Sequence, residues 1–391
     1  MIWRRWGLKD NPYSLNEINE TTFDLFAGRG PEVKSLQNIF AGNKRVIFLE
    51  GDTGVGKTSL GNYWRYSSMQ KRFCFTPYAE ICLDQPLNFN FFICRVLEAI
   101  SWSLPQNHPF ISRDVEFKVY QKKSKELFEQ IKLSFVRETS SDSEDCYADN
   151  VKELFIRLSQ ILSKLSYEYG LLIQVSFPEL DNSVKSIFQE NLWKLFAIEG
   201  IRWLLIGEPM LGERLYYHNS GILPDDLHKV STKPLEITQL HELLMRRKDY
   251  LALTQNATLP LASDVIEHLY LLSAGNLKKI FQVSEKITAL LETYDLPSGI
   301  NLEIAKPLIT QYFQDEIRRR WNISQTSAEI LGFLVKEDGL SPGAIAQRVR
   351  KLRPNVSRNL MHLKQTNLVR MEIKGRNRIY YPSMEAKIAF S

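Results

Sequence analysis

RVIFLEGDTGVGKTSL, residues 45–60, decides how the rest of the chain is read. Val46, Ile47, Phe48 and Leu49 form a short run of β-branched and aromatic residues, the pattern of a strand buried on both faces. Gly51, Asp52, Thr53, Gly54, Val55, Gly56, Lys57, Thr58 and Ser59 follow without a gap and satisfy G-x-x-x-x-G-K-S/T at every fixed position. Glycines at 51, 54 and 56 let the backbone turn its N–H groups inward with no Cβ in the way, and the next helix presents its positive end to an anion. Lys57 then reaches the β- and γ-phosphates, and the Thr58 hydroxyl serves Mg²⁺. The stretch therefore predicts strand, phosphate loop and helix start, a Walker A site for ATP and Mg²⁺. A chance glycine-rich turn is the competing reading, and the apolar run before it and GNYWRYSS after it weigh against that.

Outward from this stretch, apolar strands alternate with helices. LLIQVSF (171–177) and IRWLLIG (201–207) are further buried strands, and 73–78 with 81–83 form a second strand region. Residues 91–102 and 151–169 have helical periodicity, the latter with Leu154, Leu158, Ile161 and Leu165 on one core-facing stripe. Between them TSSDSEDCYADN (139–150) reads as a solvated surface loop. Spacings too long for hairpins predict an α/β fold with a parallel sheet and right-handed crossovers. From residue 237 the pattern is wholly helical, and from 326 it becomes helix, helix, helix, hairpin.

At 391 residues, 44% apolar and 24% charged, the chain suits two or three globular domains. MIWRRWGLKDNPY lacks an apolar signal region, and no apolar run approaches a membrane span, so the expectation is a cytoplasmic protein with no membrane partner. Cys74, Cys82, Cys94 and Cys146 show neither C-x-x-C pairing nor a metal spacing, which reads as reduced structural thiols. Charge is uneven. Residues 326–391 hold twelve Lys or Arg against five Asp or Glu, a balance of +7, so the chain's +5 leaves −2 for the remainder. That basic tail points to duplex DNA as a partner.

Asn11, Pro12 and Tyr13 (N-P-F/Y), then Gly28, Arg29 and Glu32 (G-R-x-x-E), then the phosphate loop resemble the opening of AAA+ P-loop ATPases of the initiator, transposition-regulator and STAND-like type. The resemblance implies a P-loop core with a helical lid, followed by an α+β winged helix, with boundaries near 1–236, 237–317 and 318–391. It implies that the leading segment, Arg29 included, packs against the nucleotide. In AGNLKK, Lys278 takes the place of the lid arginine that touches the γ-phosphate, keeping the charge without the planar fork. The family closes its third strand with Asp-Glu, a hydrophobe and an acid. Here Glu179, Leu180 and Asp181 match as candidate catalytic residues, but Pro178 stands where the Mg²⁺-orienting Asp belongs, and Ser176 would not restore it. After residue 207 the sequence has Glu208 and Pro209 in place of the γ-phosphate-sensing Asn, and LPDDLHKV has no ring arginine, although Arg214 is near. Binding is expected to be intact and hydrolysis slow, which leaves the standing of the chain as an enzyme open.

The tail resembles a winged helix-turn-helix. In its third helix Val356, Leu360 and Leu363 face the core, leaving Asn355, Ser357, Arg358, Asn359 and His362 for a DNA groove, and Lys374, Arg376 and Arg378 of the wing for phosphates. Three readings follow. In the first, ATP state controls DNA binding through the winged helix. In the second, the chain is a nucleotide-switched signalling or defence scaffold whose winged helix docks a protein. In the third, it is a transposition or remodelling ATPase that self-assembles on DNA.

Overall fold

The computed structural model describes residues 2–16, 18–42, 44–83, 89–136, 144–165, 167–177, 195–216, 227–293, 300–337, 339–375 and 377–390. The chain divides into two units, Asn16–Leu235 and, together, Met1–Leu15 with Glu236–Ser391.

In the first unit the apolar runs become β1 (Val46–Glu50), β2 (Ile81–Cys82), β3 (Leu171–Ser176), β4 (Ile201–Gly207) and β5 (Leu227–Ser231). All pair in parallel, in the order β2-β3-β4-β1-β5. Parallel neighbours need crossovers, and these supply the covering helices α1 (Gly30–Ala41), α2 (Lys57–Gln70), α3 (Phe89–Glu98), α4 (Val115–Val136), α5 (Glu144–Ser163) and α6 (Leu211–Tyr216). Strand alternation splits the core. Ile47, Leu49, Leu172, Leu204 and Ile206 pack with Leu36 and Phe40 of α1 and with Leu60 and Trp64 of α2. Phe48, Ile173, Val175, Trp203 and Leu205 pack on the other face with α3, α4 and α5. There the fully buried Trp203 meets the rings of Phe196, Phe92 and Phe155 at 4.9, 6.0 and 6.1 Å. Leu154, Leu158 and Ile161 are buried as expected, with Leu165 packed at the rim. Because the chain leaves β1 for the far edge and β5 joins on the opposite side, the carboxyl end of β1 lies where strand order reverses, the place open α/β sheets use for ligands.

Two expectations are corrected here. The strand foreseen at 73–78 is a single bridge between Phe75 and Leu171, since Pro77 has no N–H for a ladder. The acidic stretch foreseen as loop enters α5 at Glu144, because acid-rich sequence suits a helix amino end as well as it suits solvent. Its residues 139–143 lie outside the described residues.

The second unit holds α7 (Ile237–Leu251), α8 (Ser263–Ser273), α9 (Leu277–Thr293) and α10 (Leu302–Trp321). They are followed by α11 (Gln325–Glu337), α12 (Pro342–Arg348), α13 (Arg353–Gln365), the antiparallel hairpin β6 (Val369–Lys374) and β7 (Asn377–Pro382), and α14 (Met384–Phe390). Pro342 at the first position of α12 and the Ser341 hydroxyl accepting from Ala344 N–H define that helix start. Gly375 takes the positive φ of the hairpin turn, +63°. Leu340 and Tyr380 exchange main-chain hydrogen bonds of 3.1 and 2.9 Å, adding a bridge to the wing.

Residues 1–15, expected within the nucleotide core, cluster with this unit. Lys9 N–H donates to Leu251 O at 2.8 Å, and Leu253 N–H to Gly7 O at 2.7 Å. Tyr13 is fully buried, its hydroxyl accepting from Leu261 N–H at 3.3 Å. Arg247 donates to Pro12 O and Ser14 O at 3.0 and 2.7 Å and lies 4.6 Å from the Phe281 ring centroid. Burial pulls that guanidinium down to about 10, so it stays charged at neutral pH. Among the described residues no helix is long and apolar enough to cross a membrane.

Candidate functional site

The loop after β1 has the backbone that its glycines foretell. Gly54 and Gly56 have φ of +86° and +97°, and Gly56 precedes the first turn of α2. Gly51 is required for space, because a Cβ there would stand 2.4 Å from the Thr232 carbonyl oxygen. Val55 is buried and anchors the loop, while Asp52 and Thr53 are exposed. Thr58 and Ser59, in the first turn of α2, are half-buried. Lys57 Nζ folds back over the loop and donates to Gly51 O at 2.7 Å and Asp52 O at 2.8 Å. Burial pulls its ammonium below the usual lysine range, against the opposing charges of Glu208 and Asp52. These residues fit a nucleoside triphosphate: Gly54 and Gly56 hold positive φ ahead of the amino end of α2, and the loop's one cation is held by weak main-chain acceptors that phosphates can replace. Were Mg²⁺ bound with the nucleotide, the Thr58 hydroxyl would help to hold it, and the ion would offset phosphate charge.

Arg29 is a correction in role. It is 4% exposed and donates to Glu32 Oε1 at 2.8 Å, Lys233 O at 2.6 Å and Val55 O at 2.6 Å. Its guanidinium is spent on clamping the phosphate loop to the chain after β5, so it shapes the site from behind. The segment that delivers it is fixed by stacking of Phe23 and Phe26 on Tyr63 of α2, at 4.6 and 4.0 Å with 13° between planes in each case. Burial pulls Arg29 below the usual guanidinium range, with Glu32 opposing.

Sequence reasoning missed Glu50. It ends an apolar strand, and nothing in its neighbours marks it, yet it is 1% exposed. Its oxygens accept from Met210 N–H at 2.9 Å and Gly212 N–H at 2.7 Å, and Lys229 Nζ stands 2.7 Å away. The carboxylate thus fixes the turn after β4, where Met210 has a φ of +68°, and so sets where Glu208 stands beside the loop. The matched catalytic acids Glu179 and Asp181, with Pro178, lie outside the described residues, and the side chain of Arg214 does too. Lys278 is exposed in the first turn of α9, entered through Ala274 and Gly275 at φ of +53° and +75°, in the other unit. Among the described residues no cluster of His, Cys, Asp and Glu could hold a metal by itself.

In the winged helix Val356, Leu360 and Leu363 are fully buried, which turns Asn355, Arg358 and His362 to solvent and leaves Ser357 half-buried. Asn359 turns inward. Its Nδ2 donates to Asn355 O at 2.9 Å and its Oδ1 accepts from the Ser327 and Ser324 hydroxyls at 2.8 and 3.1 Å. That corrects the groove-facing assignment, because both ends of the amide are used to seat α13 against the start of α11. Asn359→Ala is expected to lower stability to urea by about 1–2 kcal/mol through the acceptor lost by the Ser324 and Ser327 hydroxyls, and to weaken every duplex alike. A loss confined to one DNA sequence would restore the base-reading role. Lys374, whose Nζ bonds the Tyr381 hydroxyl, and Arg378 are exposed on the wing, and Arg376 lies outside the described residues. Arg350, Lys351 and Arg353, all exposed just before or at the start of α13, extend the basic surface and were legible only as tail charge.

No protein-family model and no curated protein matches the sequence. Solved structures do. The chain is similar to the Orc1 protein of Aeropyrum pernix in complex with DNA, at 14% identity over 99% of this chain and 96% of that one, with a TM-score of 0.48. It is similar to Cdc6p of Pyrobaculum aerophilum at 10% identity, 96% of each chain and a TM-score of 0.44. A RuvB mutant from Thermotoga maritima is similar at 12% identity, over 93% of this chain and 95% of that one, with a TM-score of 0.41. The fold assignment rests on this chain's own sheet order, loop and hairpin. The chain has an α/β fold built on a parallel-sheet P-loop core, followed by a helical region and a carboxy-terminal winged helix.

Proposed function

We propose that the protein binds ATP with Mg²⁺, hydrolyses it slowly, and uses its nucleotide state to control how the winged helix binds duplex DNA. The observation that carries this reading is the formed phosphate loop, with Lys57 poised over it, in one chain with a winged helix ringed by exposed Arg350, Lys351, Arg353, Arg358 and Arg378. Slow turnover is supported by β3, whose α2-facing residues Leu172, Gln174 and Ser176 include no acid, and by Glu208 in place of an amide after β4.

The test is a titration of full-length protein against several duplexes across a salt series, with ATP, with ADP and without nucleotide. Arg378→Ala is expected to weaken all duplexes and reduce the salt slope by about one. Arg358→Ala is expected to cost about 1–3 kcal/mol on a preferred sequence. Affinity should differ between ATP and ADP, and phosphate release should stay below about one per second. Binding that ignores salt would move the second reading ahead. That reading draws on exposed Leu352, Met361 and Ile373, 74%, 61% and 70% accessible, which suit a protein surface better than a phosphate backbone.

A further inference from the structure

β3 brings no carboxylate to the face of the sheet that α2 covers, but its neighbour does. Glu80 directly precedes β2, and the register that pairs Ile81 with Val175 and Cys82 with Ser176 sets it beside Gln174. Its Oε2 accepts from the Ser176 hydroxyl at 3.2 Å and from Gln174 Nε2, and its Oε1 accepts from Cys82 Sγ at 3.3 Å. Gln174 is 2% exposed and donates to Asn62 Oδ1 of α2 at 2.8 Å, while its own Oε1 is buried with no partner. An orphaned acceptor, a hydroxyl and a carboxylate therefore share one place.

The Asn62–Gln174 contact fixes how high this place stands. Thr58 is one turn before Asn62 on α2, a rise of about 6 Å, and Ser176 is two residues beyond Gln174 on β3, about 6.6 Å in the same sense. Thr58 and Ser176 thus share a level, with the Glu80 carboxylate bound to the latter. The set is all oxygen, hard and hydrated, as suits an ion that keeps several waters.

We propose that Glu80 is a positioning residue that supplies, through water, the negative charge that orients Mg²⁺ beside Thr58, replacing the acid missing from β3. This rests on the nucleotide reading above. Calorimetric ATP titrations of the full chain, in Mg²⁺ and in EDTA, test it. Wild type should bind more tightly with Mg²⁺, and Glu80→Gln should lose about tenfold or more of that gain while keeping its EDTA affinity. Manganese bound in the ATP complex, read by electron paramagnetic resonance, should weaken by the same factor. Glu80→Gln combined with Ser176→Asp, which returns a carboxylate to the adjacent strand, should recover the metal dependence. Thermal melts report folding, and Glu80→Asp, which keeps the charge, replaces the amide variant should that one unfold, with a smaller loss expected. An unchanged metal gain in Glu80→Gln, equal losses with and without metal, or no recovery in the double variant each overturn the proposal and leave ATP binding standing. Wild type that binds no ATP in either buffer overturns the nucleotide reading and this inference with it.

Discussion

Lys57→Ala is expected to weaken ATP binding by at least about a hundredfold, equivalent to roughly 2.7 kcal/mol, and to leave the fold intact. Both halves follow from where the ammonium sits. Nζ touches main-chain oxygens of Gly51 and Asp52, at 2.7 and 2.8 Å, and contributes no core contact. Its removal leaves those carbonyls near an open loop where water can reach them, so the melting temperature should hold. A phosphate chain offers stronger acceptors than two carbonyls, and a charge-assisted bond to it has no substitute elsewhere in the loop. Calorimetry with ATP and a thermal melt measure the two halves separately. Wild-type affinity in the variant would show that the nucleotide binds somewhere else.

Arg29→Ala should show the opposite division, a large loss of stability with a loss of affinity that follows from it. Truncation leaves Val55 O, Lys233 O and the Glu32 carboxylate without the guanidinium that holds them. Removing one partner from a buried charged pair costs about 3–5 kcal/mol. Urea unfolding should register that loss, and ATP affinity measured well below the transition should fall because the Val55 turn is no longer pinned to the chain after β5. If affinity vanishes while stability is unchanged, Arg29 touches the nucleotide directly and the clamp is not its role.

The parts legible in the sequence were those in which one local pattern sufficed. The phosphate loop needed its glycines at fixed offsets, the strands at 171–176 and 201–207 needed runs of apolar residues, and α13 needed Val356, Leu360 and Leu363 at helical spacing. Polar residues whose partners are distant in sequence were misread or missed. Arg29 was assigned to the nucleotide with the rest of the leading segment, and its acceptor on Lys233 is 204 residues away. Glu50 bonds residues 160 and 162 positions on, and Asn359 is turned inward by hydroxyls 32 and 35 positions before it. Periodicity reports which face of a helix is apolar. It does not report that an amide beside that face will be captured by a neighbouring helix.

The discontinuous second unit bears on how the protein is made. Tyr13 and Pro12 meet their partners Leu261 and Arg247 across 248 and 235 residues of chain. At synthesis rates of about 5–20 residues per second, the opening segment emerges roughly 10 to 50 seconds ahead of the helices that bury it. In that interval Trp6, Leu8 and Tyr13, each buried in the finished protein, are exposed on the nascent chain while the parallel sheet folds between them and their destination. The sheet can therefore fold as an inserted domain before the partners of Pro12 and Tyr13 are made, and a chain halted near residue 235 would lack the helices that bury those apolar side chains.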